Sequence, residues 1–295
     1  MAKSREIKKR MKAVGNIKRI TRTMQMIATS KFSRAQQAAT ASKPYTQALL
    51  DLVGQLSRME GADHPLLSGV SGAENKPELT LIISSDRGLC GPYNGSILRT
   101  ALRHLRTSEK ASSGVIEVIG KKGLGVLKFN SIGVDRHHAQ FGDKPKLEEV
   151  QKLAAEYTER YASGEFSAIR VIYMKYISAG RQKPEILQLL PFKAPATEGA
   201  EGGAEASTRS LQFEFSPDEA SLLEAIVPTA VRTVLFQAFN DAIVSEHVAR
   251  MIAMKSATDN AGKMGKDLSR RYNRARQAQI TTELTEIISG AAALE

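Results

Sequence analysis

The first 60 residues contain two runs of apolar side chains at helical spacing. In the first run an apolar side chain recurs every three or four residues, at Ile7, Met11, Val14, Ile17, Ile20, Met24 and Ile27. In the second run the steps alternate between four and three, as in a heptad, at Tyr45, Leu49, Leu52, Leu56 and Met59. This spacing predicts an N-terminal helix over residues 1–60. Pro44 lies between the two runs and is expected to bend or break that helix.

The C-terminal segment has a longer and wider apolar face. Its apolar positions follow one side of a helix, at Leu223, Ile226, Val227, Ala230, Val231, Val234, Leu235, Ala238, Phe239, Ala242 and Ile243. Pro217 and Asp218 resemble a helix start, and Pro228 is expected to kink the first turns. Since isolated glycines cost a helix only about 1 kcal/mol each, we expect one helix from about residue 218 to 289. That helix is on the order of 100 Å long.

A helix of this length does not fit inside a compact globule of 295 residues. A single projecting helix with an apolar stripe would aggregate, so the N-terminal helix is its natural partner. The sequence therefore predicts an antiparallel coiled coil formed by the two ends of the chain. The whole chain is expected to have three parts. These are a coiled-coil helix over residues 1–60, an α/β domain over 76–215 and a second coiled-coil helix over 217–293.

Residues 76–215 alternate between strand and helix patterns. Strands are predicted over residues 79–85, 115–119, 168–177 and 186–192, and helices over 96–106, 121–129 and 147–162. This order favours a parallel or mixed sheet in a Rossmann-like α/β domain. Residues 194–210 are rich in Gly, Glu and Ala, and predict a surface loop or a disordered insert. Residues 211–215 are a candidate edge strand.

The positive charge is concentrated at the N-terminus. The chain has a net charge of +11, and residues 1–34, with eleven Lys and Arg against Glu6, account for +10 of it. Such a segment favours a polyanionic partner, either nucleic acid, anionic lipid or an acidic protein surface. Cys90 is the only cysteine, which excludes an internal disulfide. No apolar run approaches the roughly 18–20 residues of a membrane span.

The motifs that would indicate a catalytic or cofactor site are not complete. Residues 120–125 have the spacing G-x-x-G-x-G, which is not the dinucleotide fingerprint, and no P-loop is present. Residues 86–91 follow the first strand, where open sheets place ligand loops. We favour a tight turn with an internal Asp–Arg contact there over a phosphate cradle. Cys90 has no His nearby, and His137 with His138 is expected to be an exposed pair. We therefore expect no cofactor, no metal and no catalytic residue.

Four segments resemble the gamma subunits of rotary ATP synthases, which form the central shaft of the catalytic head. They are residues 5–36 (REIKKRMKAVGNIKRITRTMQMIATSKFSRAQ), residues 84–94 (SSDRGLCGPYN), residues 239–260 with SEHVARMIAMKSATDN, and residues 274–293 (RARQAQITTELTEIISGAAA). They occur at both ends and in the middle of the chain, in the order of that family. The last segment is the most specific.

The resemblance implies a function. In that family the paired terminal helices rotate inside a ring of three alpha and three beta subunits. The α/β domain lies on a membrane ring of c subunits, beside the epsilon subunit. Proton flow turns the c-ring with the shaft, and the shaft drives the beta subunits through the states that make ATP. The chain is thus expected to be a non-catalytic subunit, peripheral to the membrane through the c-ring, on the cytoplasmic face of a bacterial cell.

The resemblance also implies three sets of contact residues. Arg276, Gln277, Thr281 and Glu283 match contacts with a catch loop of the beta subunit. The expected contacts with an acidic lever segment of beta are Lys8, Lys9, Arg10, Lys18, Arg19, Arg22 and Met24. An apolar bearing is expected at Ile280, Leu284, Ile287 and Ile288. The insert at 194–210 departs from the family, so no c-ring contact is assigned. The alternative is a basic helical arm that binds nucleic acid. Aromatic residues are not interspersed among its basic residues, which counts against this alternative.

Overall fold

A computed structural model describes residues 2–57, 64–142, 145–193 and 219–292. The chain divides into two compact units. Residues 31–249 form the sheet unit, and residues 1–30 with 250–295 form the helix-pair unit. Helix α1 spans Ala2–Leu56 and helix α7 spans Glu219–Ala292, so both helices contribute residues to both units. The predicted start of α7 at Pro217 and Asp218, the insert and the edge strand at 211–215 lie outside the described residues.

The sheet unit is built on five strands in the order β3-β2-β1-β4-β5. The strands are β1 Glu78–Ile83, β2 Val115–Ile119, β3 Arg136–His138, β4 Ala168–Ser178 and β5 Arg181–Leu190. The remaining helices are α2 Pro65–Ser68, α3 Tyr93–Thr107, α4 Glu109–Ser112, α5 Lys121–Phe129 and α6 Leu147–Ala162. Strands β1 to β4 pair in parallel and β5 pairs antiparallel with β4. The predicted mixed α/β sheet is confirmed.

The two faces of the sheet are covered by different helices. Leu81 faces a core that includes Tyr157 of α6 and Phe239 of α7. The next residue, Ile82, faces a second core with Ile97 of α3 and side chains of α5. Because successive side chains of a strand point to opposite faces, a strand buried on both sides can be apolar at consecutive positions, as β1 is from Leu81 to Ile83.

The wide apolar face predicted for α7 is confirmed in the sheet unit. The buried members of the predicted set are Leu223, Val227, Ala230, Val231, Leu235, Ala238, Phe239 and Ala242. Ile226 and Val234 are partly buried against the same core. Among the described residues, α7 is also the one helix with an 18-residue window apolar enough by composition to cross a membrane, at a mean hydropathy of 1.4. The helix also continues through Pro228.

The expected break at Pro44 is wrong. Helix α1 continues through this proline, which is exposed. Ala39, Thr46 and Val53 are buried at intervals of seven on both sides of it. Ser42 donates from its hydroxyl to Gln237 Oε1 of α7 at 3.0 Å. Proline costs a helix interior about 3 kcal/mol, and the buried face that continues past Pro44 offsets this cost.

The buried line of α1 also differs from the predicted heptad. Thr46, Val53 and Leu56 are buried, whereas Tyr45 and Leu52 of the predicted set are exposed. Leu49 is partly buried, and Met59 lies outside the described residues. The reason is that the polar Thr46 occupies a buried position. A prediction from apolar residues alone therefore selects the adjacent Tyr45 and places the buried face of the helix one residue away.

Candidate interaction surface on the terminal helices

The helix-pair unit is an antiparallel pair. Ser4 donates from its hydroxyl to Gln279 Oε1 at 2.9 Å, and further along, Thr258 donates to the Thr21 hydroxyl oxygen at 2.8 Å. Between these two contacts, a Cβ placed on Gly265 would lie 4.0 Å from Val14 Cγ1. Residue numbers therefore rise along α1 while those of its partners fall along α7. This confirms the predicted antiparallel arrangement of the chain ends.

The seam between the two helices consists mainly of small and polar side chains, with Met254 as the one large side chain among its described buried residues. On α1 the buried residues are Val14, Thr21 and Ala28, again seven apart, and on α7 they are Met254, Thr258 and Ala261. The Thr21 hydroxyl donates to the carbonyl oxygen of Ile17 at 3.0 Å while it accepts the Thr258 hydroxyl. Small residues allow two helices to approach closely, and the buried hydroxyls of Thr21 and Thr258 are both hydrogen-bonded.

Several large apolar side chains of the helix-pair unit point away from the seam. Ile17, Ile20 and Ile27 of α1 are each more than half exposed, and Met24 beside them is half-buried. These four residues follow steps of three, four and three, so they share one face of the helix. The sequence pattern correctly identified them as a helical stripe, but the stripe is exposed and does not form the seam.

The end of α7 has a second exposed apolar stripe. Ile280, Leu284, Ile287 and Ile288, the predicted bearing, are between 51% and 72% exposed. Every side chain from Ile280 to Ala291 is exposed. The contact between Ser4 and Gln279 lies immediately before this segment. The described part of α1 thus leaves the stripe exposed, and a separate surface is needed to cover it.

The basic side chains predicted as lever contacts are also on the outside. Lys8, Lys9, Arg10, Lys18, Arg19 and Arg22 are all exposed. Arg10 forms an ion pair with Glu6 at 2.6 Å, and Arg19 donates to Asn16 Oδ1 at 2.9 Å. Both contacts lie within one helix turn. The structure therefore brings the basic residues together along α1 and gives them no acidic partner on α7 within the described contacts.

The residues predicted for the catch loop are exposed on α7. Thr281 donates to the Gln277 carbonyl oxygen at 3.0 Å, and Glu283 accepts from Gln279 Nε2 at 2.8 Å. Within the part of the chain that is described, the side chains of Arg276 and Gln277 make no hydrogen bond or ion pair. These two side chains have their full hydrogen-bonding capacity available.

The carboxyl edge of the sheet, where α/β folds bind nucleotides, is filled by α7. Phe239, Ala242 and Ile243 line a cavity of only about 40 Å³ there, together with Asp86 and Gly120. The Tyr93 hydroxyl donates to the Ala242 carbonyl oxygen at 3.1 Å. This volume is near that of one water molecule, roughly 30 Å³. A nucleotide does not fit at this edge.

The glycines and polar residues near this edge have packing roles. A Cβ on Gly120, at φ +91°, would lie 2.3 Å from the Ser84 carbonyl oxygen, so the close approach requires glycine. The backbone N–H of Gly123 donates to Ser84 Oγ at 2.9 Å. Asp86 Oδ1 accepts from the Lys121 N–H at 3.0 Å at the start of α5. Asp86 thus stabilises a helix N-terminus, a role not included in the expected turn.

The expected exposed His pair is wrong for His138. This residue is buried, and its Nε2 lies 2.6 Å from Glu117 Oε2, which also accepts the Tyr157 hydroxyl at 2.7 Å. The pairing of β3 with β2 places His138 beside this carboxylate, and the three-residue β3 was not predicted. Burial raises the pKa of Glu117, but hydrogen bonds from His138 and Tyr157 outweigh it and hold this pKa below its usual value. No group of three metal-ligating side chains occurs among the described residues.

A buried carboxyl group was also missed by the sequence analysis. Asp241 lies on α7 in the sheet unit and accepts from Gln237 Nε2 at 2.9 Å. Burial raises the pKa of Asp241 to about 6, while Gln237, Lys43 and Lys175 act in the opposite direction. The sequence signal for such a group is a polar residue inside an apolar stripe, because a polar residue must be paired when it is buried.

Paired terminal helices and a mixed α/β sheet define the class of protein. The sequence matches the ATP synthase family over residues 3–294, nearly the whole chain. It is 42% identical to the ATP synthase gamma chain of Rhodopirellula baltica over 298 aligned positions, which cover all of both chains. It is 36% identical to the gamma chain of Variovorax paradoxus, with 99% of each chain covered. The chain belongs to the family of ATP synthase gamma chains.

Solved structures support the same fold. One is a chain from the mitochondrial ATP synthase of Euglena gracilis, solved with OSCP, F1 and the c-ring in rotational state 3. It has a TM-score of 0.67 at 18% identity and covers 99% of this chain and 95% of its own. Another is from the central stalk and c-ring of the Tetrahymena thermophila enzyme. Its TM-score is 0.55 at 18% identity, and it covers 81% of this chain and 99% of its own.

Proposed function

We propose that this chain is the rotating central-stalk subunit of a proton-translocating ATP synthase. It couples rotation of a c-ring to the conformational cycle of catalytic beta subunits. The observation that supports this role most is the arrangement of the helix-pair unit. Small residues fill its seam while isoleucines, leucine and basic side chains face outward. A helix pair of this kind is suited to a sleeve that covers its outer surface.

The partners follow from the family. A ring of three alpha and three beta subunits surrounds the helix pair, and the epsilon subunit and the c-ring contact the sheet unit. The related solved chains come from assemblies described as F1, central stalk and c-ring. The basic residues of α1 suit an acidic protein partner. Their positive charge would also suit nucleic acid, which is the alternative function. The family membership favours the protein partner.

Each set of exposed residues has a proposed role. The basic residues Lys8, Lys9, Arg10, Lys18, Arg19 and Arg22, together with Met24, contact the lever segment of beta. Exposed ion pairs contribute only about 0–1 kcal/mol each, which suits a contact that must form and break in every turn. Arg276 and Gln277 bind the catch loop, with Thr281 and Glu283 in the same contact region. Ile280, Leu284, Ile287 and Ile288 turn inside an apolar sleeve.

The chemistry of ATP synthesis takes place on another subunit in this proposal. The cavity at the sheet edge is too small for a nucleotide, so ADP and phosphate react on beta. The chain is then a non-catalytic subunit of the proton-transporting ATPase, peripheral to the cytoplasmic face of a bacterial membrane.

Complex formation with purified subunits tests this role. The full chain is mixed with alpha and beta subunits from the same organism, and the product is analysed by native mass spectrometry. One copy of the chain with three alpha and three beta subunits is expected. A parallel titration with double-stranded DNA examines the alternative. A complex with DNA, with affinity that falls steeply with salt, and no complex with alpha and beta would reverse the assignment.

A further inference from the structure

Two surfaces of the helix-pair unit are uncovered in the free chain. The first is the tip, which we define as residues 280–292 of α7, and its side chains from Ile280 to Ala291 are all exposed. The second is a groove of about 770 Å³ between the two helices, lined by side chains from residues 4–10 of α1 and 268–282 of α7. Exposed apolar surface on a protein marks a site of interaction with another molecule.

The tip is both apolar and acidic. Its large apolar side chains are the four of the predicted bearing, and each is more than half exposed. Glu283 and Glu286 lie beside them, and residues 280–292 contain no Lys or Arg. Glu283 accepts one hydrogen bond from Gln279 of its own helix at 2.8 Å, which leaves further acceptor sites on its carboxylate. The tip therefore suits a surface that is apolar and basic.

The groove has this complementary composition. Arg271 and Arg274 border it, and within the described residues their guanidinium groups have neither a hydrogen-bond partner nor an ion-pair partner. Glu6 is the only acidic residue of the lining, and it forms an ion pair with Arg10 at 2.6 Å. Half-buried Leu268 is among the apolar side chains of the lining. The groove thus presents free cations next to apolar surface.

The charges of the tip and of the groove also have the same spacing. Glu283 and Glu286 are three residues apart on α7, as are Arg271 and Arg274. Because three residues advance a helix by about 4.5 Å, two carboxylates of one tip can face two guanidinium groups of one groove. Guanidinium groups bind carboxylates in a bidentate manner. The apolar side chains of the tip are then removed from water against the apolar lining.

A tip cannot enter the groove of its own chain. Leu284 and Ile287 of the tip lie about half a turn from Arg271 and Ala278 of the groove, and all four belong to one continuous helix. The groove must therefore receive the tip of a second copy. Because the two surfaces are on opposite sides of α7, a copy that inserts its tip still presents an empty groove. Such a head-to-tail contact is heterologous and can extend beyond two copies.

We propose that free copies of this chain associate head to tail, with the tip of one copy in the groove of the next. The partner is thus a second copy of this chain, held by ion pairs between carboxylates and guanidinium groups and by apolar contact. This inference goes beyond the proposed function and does not rest on it, because it concerns the chain before any other subunit is bound. Its failure would leave the proposed function untouched.

Sedimentation velocity of the free full-length chain tests the association. We expect the mass of one chain, 32.1 kDa, at about 1 µM. At about 100 µM we expect a weight-average mass at least twofold larger, because a small interface is weak and dissociates on dilution. The double variant Glu283→Lys with Glu286→Lys is expected to remain a single chain at both concentrations.

A matched control separates the position of the charges from the net charge. Glu159→Lys with Glu224→Lys changes the net charge by the same amount at exposed sites of the sheet unit. This control is expected to associate as the unchanged chain does. Circular dichroism of every variant confirms that the helical content is retained, so that loss of association is not loss of folding.

A second charge reversal is expected to restore the contact. Arg271→Glu with Arg274→Glu should also stay a single chain when it is alone. Mixed with the variant that carries Glu283→Lys and Glu286→Lys, it should associate again, because each tip then meets a groove of opposite charge in the other variant. Recovery in the mixture would assign the contact to these four positions.

Disulfide trapping locates the two surfaces in the associated form. One variant carries Leu284→Cys in the tip and another carries Ala278→Cys in the groove, while the native Cys90 is buried. Both substituted positions are exposed, so the changes are compatible with the fold. After mild oxidation, the mixture is expected to give a disulfide-linked dimer of the two variants. Either variant alone should give several-fold less, because a tip position then meets no cysteine.

The other outcomes overturn the inference. A mass of 32.1 kDa at every concentration would show that the free chain does not associate. Equal loss of association in the control at Glu159 and Glu224 would show that net charge alone controls it. Failure of the mixed charge variants to associate would reject the pairing of tip and groove. A disulfide between two copies of the Leu284→Cys chain in the same yield as the mixed dimer would assign the contact to two tips.

Discussion

Large apolar side chains have opposite positions in the two units of this protein. In the sheet unit, Leu235 and Phe239 of α7 are almost fully buried in the core around the sheet. In the helix-pair unit, Leu284 and Ile287 of the same helix are mainly exposed, while Thr21 and Thr258 occupy the seam. The sheet unit therefore buries most apolar side chains of α7 in its own core, although Leu89 and Phe129 elsewhere in this unit are exposed. The helix-pair unit leaves apolar side chains exposed, which is the physical basis for its proposed place inside a ring of subunits.

The same leucine-to-alanine change at one site of α7 in each unit tests this difference in burial. Leu235→Ala is expected to destabilise the chain by about 2–5 kcal/mol, because it removes a buried side chain and leaves a cavity. Leu284→Ala is expected to change the free energy of unfolding by less than about 0.5 kcal/mol, since its site is exposed. Urea unfolding of the two full-length variants measures both effects. Equal destabilisation would mean that Leu284 is packed in the free chain.

A pH-dependent effect on stability is expected at Asp241 in the sheet unit. Its pKa is raised from 3.8 to about 6, so the folded state holds a proton that the unfolded state has already lost. The contribution of this group to stability is therefore full below 3.8 and falls as the pH rises to about 6, after which it is constant. Asp241→Asn removes this loss and should stabilise the chain at neutral pH by about 1–3 kcal/mol.

Asp51 provides a matched control for this experiment. It accepts from Gln47 at 3.0 Å, four residues earlier on its helix, as Asp241 accepts from Gln237, but Asp51 is exposed. Asp51→Asn is thus expected to be neutral at every pH. Chemical unfolding at several pH values gives the comparison. A stabilising effect of Asp241→Asn that is the same at acidic and neutral pH would show that the charge is not its cause.

A positive charge beside the exposed isoleucine stripe of α1 is expected to disturb the motor without unfolding the chain. Met24→Lys places a charge next to Ile20 and Ile27, where the lever contact is proposed. Proton pumping per ATP hydrolysed should fall a few-fold, which corresponds to about 1 kcal/mol. Met26→Lys is the control, because Met26 is exposed and lies on a different face of the helix. Pumping and hydrolysis are measured in the same reconstituted vesicles, and a parallel loss of both would indicate misfolding.

The smallest expected effect concerns the polar layer of the seam. Thr258→Val removes the hydroxyl that donates to Thr21, at a cost of about 0.5–1.5 kcal/mol. After Thr258→Val the Thr21 hydroxyl bonds only to the Ile17 carbonyl oxygen of its own helix. A second change, Thr21→Val, should therefore add little further destabilisation. A double-mutant cycle from thermal unfolding measures this coupling. Full additivity would mean that the two hydroxyls do not interact.

The sequence predicted the elements better than it predicted which face of an element is buried. The bounds of β2, α5 and α6 agree with the prediction, because each element has a strong local period and clear ends. The buried face of α7 between Leu223 and Ala242 was also predicted correctly, since the buried positions there are apolar except Asp241. The seam of the helix pair was not, because Thr and Ala occupy buried positions and isoleucines occupy exposed ones.

The features that sequence analysis missed depend on contacts between distant segments. His138 is buried because β3 pairs with β2, and a three-residue strand has too little pattern to be predicted. The hydrogen bond from Ser4 to Gln279 likewise requires the start of α1 to lie beside the C-terminal part of α7. The antiparallel pairing was predicted, but its register depends on close contacts such as the one between Thr21 and Thr258. The site residues proposed from the resemblance remain predictions.

Rotation of a single complex tests the central claim most directly. The alpha and beta subunits are fixed to glass, and a bead is attached to the full chain through a cysteine introduced on the surface of the sheet unit, while the native Cys90 is buried. ATP is then added and the bead is observed. We expect rotation in one direction with three main pauses in each turn, one for each beta subunit. A stable complex that hydrolyses ATP while the bead remains still would contradict the role of this chain as the rotating shaft.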